Sequence, residues 1–240
     1  QVGSAVALSE RFSVSKFWDE VKKYNATITG GFATMIELLY KIPPKKDDAK
    51  NPLRQIVVGG IPKKIAEDFE KRFDLILTDD YGMTEVEPIS YLTVEDRLKK
   101  PGSCGRPVSD IEVKIFDEYD NELKANEIGE IVVRPKKAFI MMKGYYNRPL
   151  DTVNSWRNLW FHTGDYGYLD EDGYLYFVDR KKDSIRRRGE NISSFELESI
   201  INAHPSVLES VAVGVPSKLG EEDVKVIVQL KDGMSLTAEE

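Results

Sequence analysis

Strand-like and helix-like segments alternate along residues 20–90, and this alternation constrains the fold more than any other feature of the chain. Two short apolar runs, Leu53–Gly60 and Asp74–Gly82, have the length and composition of buried strands. An amphipathic helical pattern at Pro62–Phe73 separates them. The alternation predicts an α/β layer, in which helices pack on a mostly parallel sheet. Ligands of such sheets bind beyond the carboxyl ends of the strands, so we expect a site at the turns that end these two runs.

Two helix starts can also be predicted. Apolar residues recur at helical spacing within Ser13–Thr27, and Ser15 is the expected N-cap. Pro62 is expected in the first turn of the next helix, because its fixed φ suits that position.

The pattern changes at about Pro107. From there, short segments alternate apolar and polar residues between turn sequences, which predicts a small antiparallel, β-barrel-like unit. After Asp179 follow the basic stretch RKKDSIRRRGEN, one helical pattern and two strand patterns, which indicate the start of a small α+β domain. The expected domains are therefore residues 1–106, 107–179 and 180–240.

Composition narrows the classes of function. The formal net charge of the 240 residues is −7, so the chain lacks the basic charge with which nucleic-acid-binding proteins neutralise phosphates. Its single cysteine, Cys104, cannot form a disulfide framework, which indicates a reducing, cytoplasmic setting. No apolar run approaches the roughly 20 residues that cross a bilayer. We expect no nucleic-acid partner and no transmembrane segment, and the oligomeric state stays open.

A series of short motifs follows along the chain from Gly59. They are GGIP (Gly59–Pro62), YGMTE (Tyr81–Glu85), GSCGRP (Gly102–Pro107), GEIVVR (Gly129–Arg134), MKGYYNRP (Met142–Pro149), WFHTGDYGYLDEDGYLYFVDRKKD (Trp160–Asp183) and RGENISSFELE (Arg188–Glu198). Each motif alone is common, but the ordered set is specific. It resembles the acyl-adenylate-forming enzymes, which include acyl-CoA synthetases, luciferases and the adenylation domains of peptide synthetases. RRRGENIS and ELESIINAHPSV are most similar to the crotonobetaine/carnitine–CoA ligase branch.

This resemblance implies a site for ATP or AMP. The ring of Tyr81 would stack on the adenine, because an aromatic face binds a π surface without a polar partner. Asp79 would accept a hydrogen bond from the adenine amino group. The residues implied to line the nucleotide are Gly59, Gly60, Ile61, Asp79, Tyr81, Gly82, Met83, Thr84, Asp165, Phe177 and Arg180.

The implied catalytic residues are Thr84 and Glu85. The Thr84 hydroxyl would contact the α-phosphate. Glu85 would bind Mg²⁺, a cation that usually takes one or two carboxylates together with phosphate oxygens.

Three further residues are implied on the ribose side. Asp165 would bind both ribose hydroxyls, because its two acceptor oxygens match two donors. Phe177 would form a wall beside the nucleoside. Arg180 would reach the ribose or the phosphate, a role suited to a permanent cation with several donors.

The basic stretch is implied to serve the second half-reaction. Lys182 matches the hinge about which the family's small domain rotates. Arg186, Arg187, Arg188 and Gly189 would then lie near coenzyme A, whose phosphates a basic surface attracts.

The implied activity is that of an acid–CoA ligase, which joins a small carboxylic acid to AMP and passes the acyl group to CoA. Two alternatives stay open: an adenylation domain that loads a carrier protein, and a non-catalytic relative that binds nucleotide or acyl chains. The glycine-rich phosphate loop of the family is not found in residues 1–80, and neither is the catalytic lysine of its small domain. We therefore expect the chain to be an internal part of a longer enzyme and inactive by itself.

Overall fold

The computed structural model of the chain describes residues 3–62, 64–180, 185–187, 190–217 and 222–237. The chain forms two compact units. Unit 1 comprises Gln1–Val113, Val133–Asn154 and Leu169–Tyr176, and unit 2 comprises Lys114–Val132, Ser155–Tyr168 and Phe177–Glu240. The expected domain limits at 106/107 and 179/180 stay a prediction.

The described part of the chain contains both helices and strands. The helices are α1 (Phe17–Tyr24), α2 (Ala33–Tyr40), α3 (Ala66–Phe73), α4 (Pro149–Asn154) and α5 (Ser194–Ile201). The strands are β1 (Ile28–Phe32), β2 (Gln55–Gly59), β3 (Ile76–Met83), β4 (Val86–Tyr91), β5 (Arg106–Pro107), β6 (Ile111–Phe116), β7 (Gly129–Pro135), β8 (Trp156–Arg157), β9 (Trp160–Leu169), β10 (Leu175–Arg180), β11 (Ile185–Arg187), β12 (Glu190–Ile192), β13 (Val207–Pro216) and β14 (Glu222–Leu230).

The main sheet of unit 1 is mixed. Its strand order is β1-β2-β3-β4-β5. The first three strands are parallel to one another, whereas β4 and β5 join by antiparallel pairing. The predicted α/β layer is present, but parallel pairing is confined to β1–β3, because the chain reverses between Met83 and Val86 into a hairpin.

Helices α1–α3 and strands β2 and β3 bury the core of unit 1. The fully buried side chains of this core include Ile36, Val58, Phe69 and Leu77. The Trp18 ring on α1 stacks on that of Phe73 with 4.4 Å between centroids. Burial of this kind contributes roughly 1.5–3 kcal/mol for each large apolar side chain, which fixes α3 against the sheet and so places the end of β3.

The structure corrects both predicted helix starts. The N-cap of α1 is Lys16, not Ser15, because the Ser13 carbonyl already accepts hydrogen bonds from the backbone N–H groups of Lys16 and Phe17 in a preceding turn. Pro62 lies outside α3, which begins at Ala66. The Pro62 carbonyl closes a separate turn by accepting bonds from Ile65 and Ala66.

A second sheet has the strand order β10-β9-β7-β6, and β8 pairs with β9. This sheet contains the segments from which an antiparallel unit was predicted, while its barrel-like closure stays a prediction. In unit 2, β11–β12 and β13–β14 form antiparallel pairs around α5, as expected for a small α+β region. Helix α5 is capped by Ser193, whose hydroxyl accepts a bond from the Glu196 N–H. None of the helices in the described part of the chain is long and apolar enough to span a membrane.

Candidate nucleotide site

The glycine turn (Gly59–Ile61) lies at the carboxyl end of β2. Strands β2 and β3 are parallel neighbours with Val58 opposite Asp79, so their carboxyl ends meet at one edge of the sheet. Gly60 has φ +79°, a left-handed conformation that glycine adopts at little cost and that side-chain-bearing residues rarely adopt. Gly60 is also exposed, so a ligand can approach its backbone closely.

The carboxylate of Asp79 joins the two strand ends. One oxygen accepts a hydrogen bond from the Gly60 N–H and the other from the Ile61 N–H, each over 3.2 Å. Burial raises the pKa of Asp79 to about 6, and the charge of Asp80 adds to that increase, while the two backbone N–H groups oppose it. Each oxygen has a further lone pair, so these two bonds are compatible with a contact between Asp79 and adenine. That contact stays a prediction.

The Thr84–Glu85 turn connects β3 to β4, which pair again at Met83 and Val86. Thr84 is exposed and Glu85 is half-buried. Before this turn, Tyr81 lies within β3 opposite Ser90 with 8% of its surface exposed, so only a small part of it is open to a ligand.

Glu85 is restrained from a distant part of the chain. The Tyr145 hydroxyl donates to a Glu85 carboxylate oxygen over 2.8 Å, and the Met142 N–H donates to the Glu85 carbonyl over 2.8 Å. Burial and the bond to Glu85 raise the pKa of Tyr145 to about 12, so this hydroxyl stays a donor at neutral pH. The sequence motif that contains Tyr145 was recognised without a role for this residue.

The Glu85 carboxylate offers the oxygen ligand that Mg²⁺ prefers. Among the described residues, no group of three or more His, Cys, Asp or Glu side chains is placed to hold a metal ion. Mg²⁺ bound to nucleotide needs only one or two carboxylates, because phosphate oxygens and water complete its shell. A single half-buried carboxylate, oriented by a neighbouring hydroxyl, meets that requirement.

Asp165 belongs to unit 2, where β9 holds its backbone. The Thr163 hydroxyl donates to the Ile131 carbonyl over 2.7 Å and accepts from the Asp165 N–H over 3.1 Å. Between them, Gly164 has φ +75°. This local arrangement fixes the backbone that carries the half-buried Asp165 carboxylate.

Phe177 and Arg180 line a cavity of about 500 Å³ within unit 2, together with residues of α5 and β13. Arg180 is exposed and Phe177 is half-buried. Between them, Asp179 points to α5 and accepts bonds from the Ser194 N–H at 2.8 Å and the Arg180 N–H at 2.7 Å. The cavity is large enough for part of a nucleotide, and its arginine is available at the surface.

Of the residues predicted to form the hinge and the coenzyme A surface, the structure describes only Arg186 and Arg187. Arg186 and Arg187 lie on β11, opposite Asn191 and Glu190, and Arg187 Nε is 3.4 Å from a carboxylate oxygen of Asp223. The predictions for Lys182, Arg188 and Gly189 lie outside the described residues.

Residues 1–146 match the family described as AMP-binding enzyme. The chain belongs to this family. The glycine turn, the Thr84–Glu85 turn and Tyr145 all lie within the part matched to the AMP-binding enzymes, whereas Asp165, Phe177 and Arg180 follow it.

Crotonobetaine/carnitine–CoA ligases are among the similar curated AMP-binding relatives. The protein of Citrobacter koseri is 39% identical over 241 residues, and that of Salmonella typhimurium LT2 is 38% identical over 241 residues. In both cases the alignment covers 99% of this chain and 46% of the relative. The chain therefore spans about half the length of the curated relatives it matches.

Three solved structures illustrate the likeness of fold. The o-succinylbenzoate CoA synthetase of Bacillus subtilis, in complex with its acyl-adenylate intermediate, is 32% identical with a TM-score of 0.80 over 95% of this chain and 46% of that one. ATP-bound MatB of Rhodopseudomonas palustris is 27% identical with a TM-score of 0.81, over 96% of this chain and 45% of that one. The amide bond synthetase McbA of Marinactinospora thermotolerans is 27% identical with a TM-score of 0.79, over 96% and 48%.

The structure brings together part of the predicted site. It joins Gly60 and Ile61 to Asp79 by hydrogen bonds, and it places Glu85 after β3. Asp165, Phe177 and Arg180 belong to unit 2, where Phe177 and Arg180 line the same cavity. The roles assigned to individual residues of both groups stay predictions.

Proposed function

We propose that this chain is part of an ATP-dependent acid–CoA ligase that forms AMP. In the first step, an oxygen of a small carboxylic acid bonds to the α-phosphorus of ATP and pyrophosphate leaves. In the second, the thiol sulfur of CoA bonds to the acyl carbon and AMP leaves. The proposal draws on the family of the chain and on relatives that are CoA ligases.

One observation carries the proposal at the level of the site. The exposed glycine turn and the end of β3 are hydrogen-bonded to each other at one edge of the sheet, and an aromatic, a hydroxyl and a carboxylate follow within Tyr81–Glu85. Such an edge can offer bare backbone to a purine and oxygen ligands to the phosphates. Within unit 2, Arg180 places a cation in the cavity that Phe177 also lines.

The residues of the chain would act by positioning and by charge. Thr84 would donate a hydrogen bond from its hydroxyl to an α-phosphate oxygen. Asp165 would accept hydrogen bonds from the ribose hydroxyls. Glu85 would hold Mg²⁺, which supplies neutralisation of phosphate charge when it is bound. Phosphoryl-type transfer gains most of its acceleration from such placement of groups, and this assignment needs no general base.

His162 is accordingly given no role in the reaction. It is buried in unit 2, where its Nδ1 lies 3.1 Å from a Glu130 carboxylate oxygen and 2.8 Å from an Arg157 guanidinium nitrogen. These contacts are those of a structural histidine in a buried polar cluster.

The acceptor of the acyl group defines a second candidate. The likeness to the amide bond synthetase McbA favours an enzyme that passes the acyl group from acyl-AMP to an amine. A carrier-protein thiol is the other acceptor expected from the sequence. Both share the adenylation step with the CoA ligase and differ only in the second nucleophile.

The test uses the longer enzyme of which we propose this chain to be a part. ATP–pyrophosphate exchange would be measured with a panel of small carboxylic acids, including carnitine and crotonobetaine. The best acid would then be offered with CoA, with an amine or with a carrier protein. Exchange followed by a CoA thioester is the expected result, exchange followed by amide or carrier acylation favours the second candidate, and no exchange with any acid would refute adenylation.

The chain alone should fail in both steps. We propose that the phosphate loop and the catalytic lysine of the family are supplied by the rest of the longer enzyme. The residues from about 180 onward are proposed to rotate about Lys182 between the two steps. Measurable exchange by the isolated chain would contradict this part of the proposal.

A further inference from the structure

Asp79 is a buried carboxylate that is committed to the backbone of another loop. Its side chain is 5% exposed, and it follows the core residues Leu77 and Thr78 at the end of β3. Its two oxygens accept from two consecutive N–H groups, those of Gly60 and Ile61. Because these donors are 19 and 18 residues away along the chain, the carboxylate acts as a tether between two strand ends.

The glycine turn depends on this tether for its shape. Gly60 is exposed, its φ is +79°, and a Cβ built on it would meet nothing within 4 Å. A glycine without side-chain packing has wide conformational freedom, so hydrogen bonds must select the observed conformation. Bonds from N–H groups to an ionised carboxylate are about twice as strong as bonds between neutral groups.

We propose that ionised Asp79 is a positioning residue that holds the glycine turn in its nucleotide-binding conformation, and that protonation of Asp79 releases the turn and weakens nucleotide binding. The assignment of nucleotide as the ligand rests on the proposed function. The tether itself rests only on the geometry of β2 and β3.

The electrostatic surroundings place this switch in an accessible pH range. Burial raises the pKa of Asp79 to about 6, and repulsion from Asp80 contributes in the same direction. Burial also raises the pKa of Asp80, which is in turn repelled by Glu87. A neutral carboxyl group has one good acceptor oxygen and one hydroxyl, so it cannot accept equally from both N–H groups. The tether is therefore complete well above a pH of about 6 and is lost progressively as the pH falls through that value.

The first experiment observes the turn directly and needs no ligand. The amide ¹H and ¹⁵N shifts of Gly60 and Ile61 would be followed by NMR between pH 4.5 and 8 in the wild-type chain and in Asp79→Asn. We expect both amides to titrate together near pH 6 in the wild type and to stay constant in Asp79→Asn. Asp80→Asn is the matched control: the step should remain and move to lower pH, because one source of repulsion is removed.

The second experiment links the turn to binding. AMP affinity would be measured by calorimetry at pH 7 and pH 5 for the same three proteins. If only the ionised form binds, affinity of the wild type falls about tenfold over this range, since the competent fraction falls tenfold. The AMP phosphate titrates in the same range in all three proteins, so the additional loss in wild type and Asp80→Asn, compared with Asp79→Asn, reports Asp79. Asp79→Asn should bind more weakly than wild type at pH 7, because its amide nitrogen cannot accept a bond.

The outcomes separate this inference from the proposed function. Gly60 and Ile61 amides that do not titrate, or that titrate equally in Asp79→Asn, would overturn the tether. A tether that titrates while AMP affinity shows the same pH dependence in wild type and Asp79→Asn would overturn its role in binding. Absence of AMP binding in every variant, with the tether intact by NMR, would instead refute the nucleotide assignment. Circular dichroism at both pH values controls for folding, and Asn is of nearly equal size.

Discussion

The glycine turn of unit 1 and the Thr163–Asp165 segment of unit 2 are held in opposite ways. The first is held by a buried ionisable carboxylate that lies 19 residues away from Gly60 in the sequence. The second is held by a neutral hydroxyl two residues away from Asp165. A charged tether gives stronger hydrogen bonds and makes the segment sensitive to pH, whereas a neutral tether has neither property.

The two restraints also differ in whether the sequence alone can reveal them. Thr163 and Asp165 are part of one short motif, so a local restraint can be expected from the sequence. Asp79 and Tyr145 act on Gly60 and Glu85 only because the sheet and its connections bring them together. Restraint of the glycine turn and of the Thr84–Glu85 turn therefore depends on tertiary structure.

The largest effect is expected for Glu85→Gln in the longer enzyme. Gln has the same shape and keeps an oxygen to accept from Tyr145, but it lacks the negative charge that binds Mg²⁺. The rate of ATP–pyrophosphate exchange should fall about 100-fold, while AMP affinity should change less than twofold. An exchange rate that stays unchanged at both limiting and saturating Mg²⁺ would exclude Glu85 as the metal ligand.

Asp79→Asn should change the pH dependence of stability in this chain. The pKa of Asp79 rises from 3.8 to about 6 on folding, so between these values the folded state binds more protons than the unfolded state. The free energy of unfolding therefore falls as pH rises from about 4 to 6, by about 2–3 kcal/mol for this group.

Urea unfolding at pH 4.5 and 7.5 measures this contribution. Between pH 4.5 and pH 7.5, the free energy of unfolding should fall more in the wild type than in Asp79→Asn. This is expected even though Asp79→Asn binds AMP more weakly. Equal pH dependence in the two proteins would show that burial does not penalise the Asp79 charge, and the contrast between the two tethers would lose its electrostatic basis.

Thr163→Val sharpens the comparison from the side of unit 2. Valine removes the donor to the Ile131 carbonyl and the acceptor for the Asp165 N–H. AMP affinity should fall about tenfold, as expected for the loss of roughly 1–2 kcal/mol of hydrogen bonding, and the loss should be equal at pH 5.5 and 7.5. Thr163→Ser keeps the hydroxyl and should bind AMP within twofold of wild type. An equal loss of AMP affinity in Thr163→Ser, which keeps the hydroxyl, would show that the hydroxyl bonds are not what holds this segment.

The smallest effect is expected for Tyr145→Phe. Phenylalanine fills the same space but no longer donates to the Glu85 carboxylate. In the longer enzyme, the Mg²⁺ concentration for half-maximal exchange should change by about two- to fivefold, because loss of one restraint on a ligand is a modest perturbation. A change in AMP affinity without a change in Mg²⁺ dependence would contradict an action through Glu85.

Much of the fold could be predicted from local patterns. Strands β2 and β3 coincide with the two apolar runs that predicted them, and α5 lies after the basic stretch, where one helix was predicted. Strand β4 was not predicted, because Pro88 makes its segment unlike a typical strand sequence. The segment becomes a strand by pairing with β3. That hairpin is also why the sheet is mixed.

The site was predictable as a set of motifs but not as a geometry. Glycine, the aromatic ring and the carboxylates were found by their order along the chain. Their hydrogen-bond partners could not be found, because the pairing of Gly60 with Asp79 requires β2 and β3 to be neighbours, and that of Glu85 with Tyr145 closes a loop of 60 residues. The predicted starts of α1 and α3 also differ from the observed ones. A short turn before each helix, closed by the carbonyl of Ser13 or Pro62, shifts the first helical residue.

The most direct test of a nucleotide site in this chain is calorimetric titration of wild type and Asp165→Ala with AMP. The account predicts binding of one AMP by the wild type and no detectable binding by Asp165→Ala, whose thermal unfolding should be nearly unchanged because Thr163 still bonds to the backbone N–H of residue 165. Equal affinity in the two proteins, or no binding by the wild type, would contradict it.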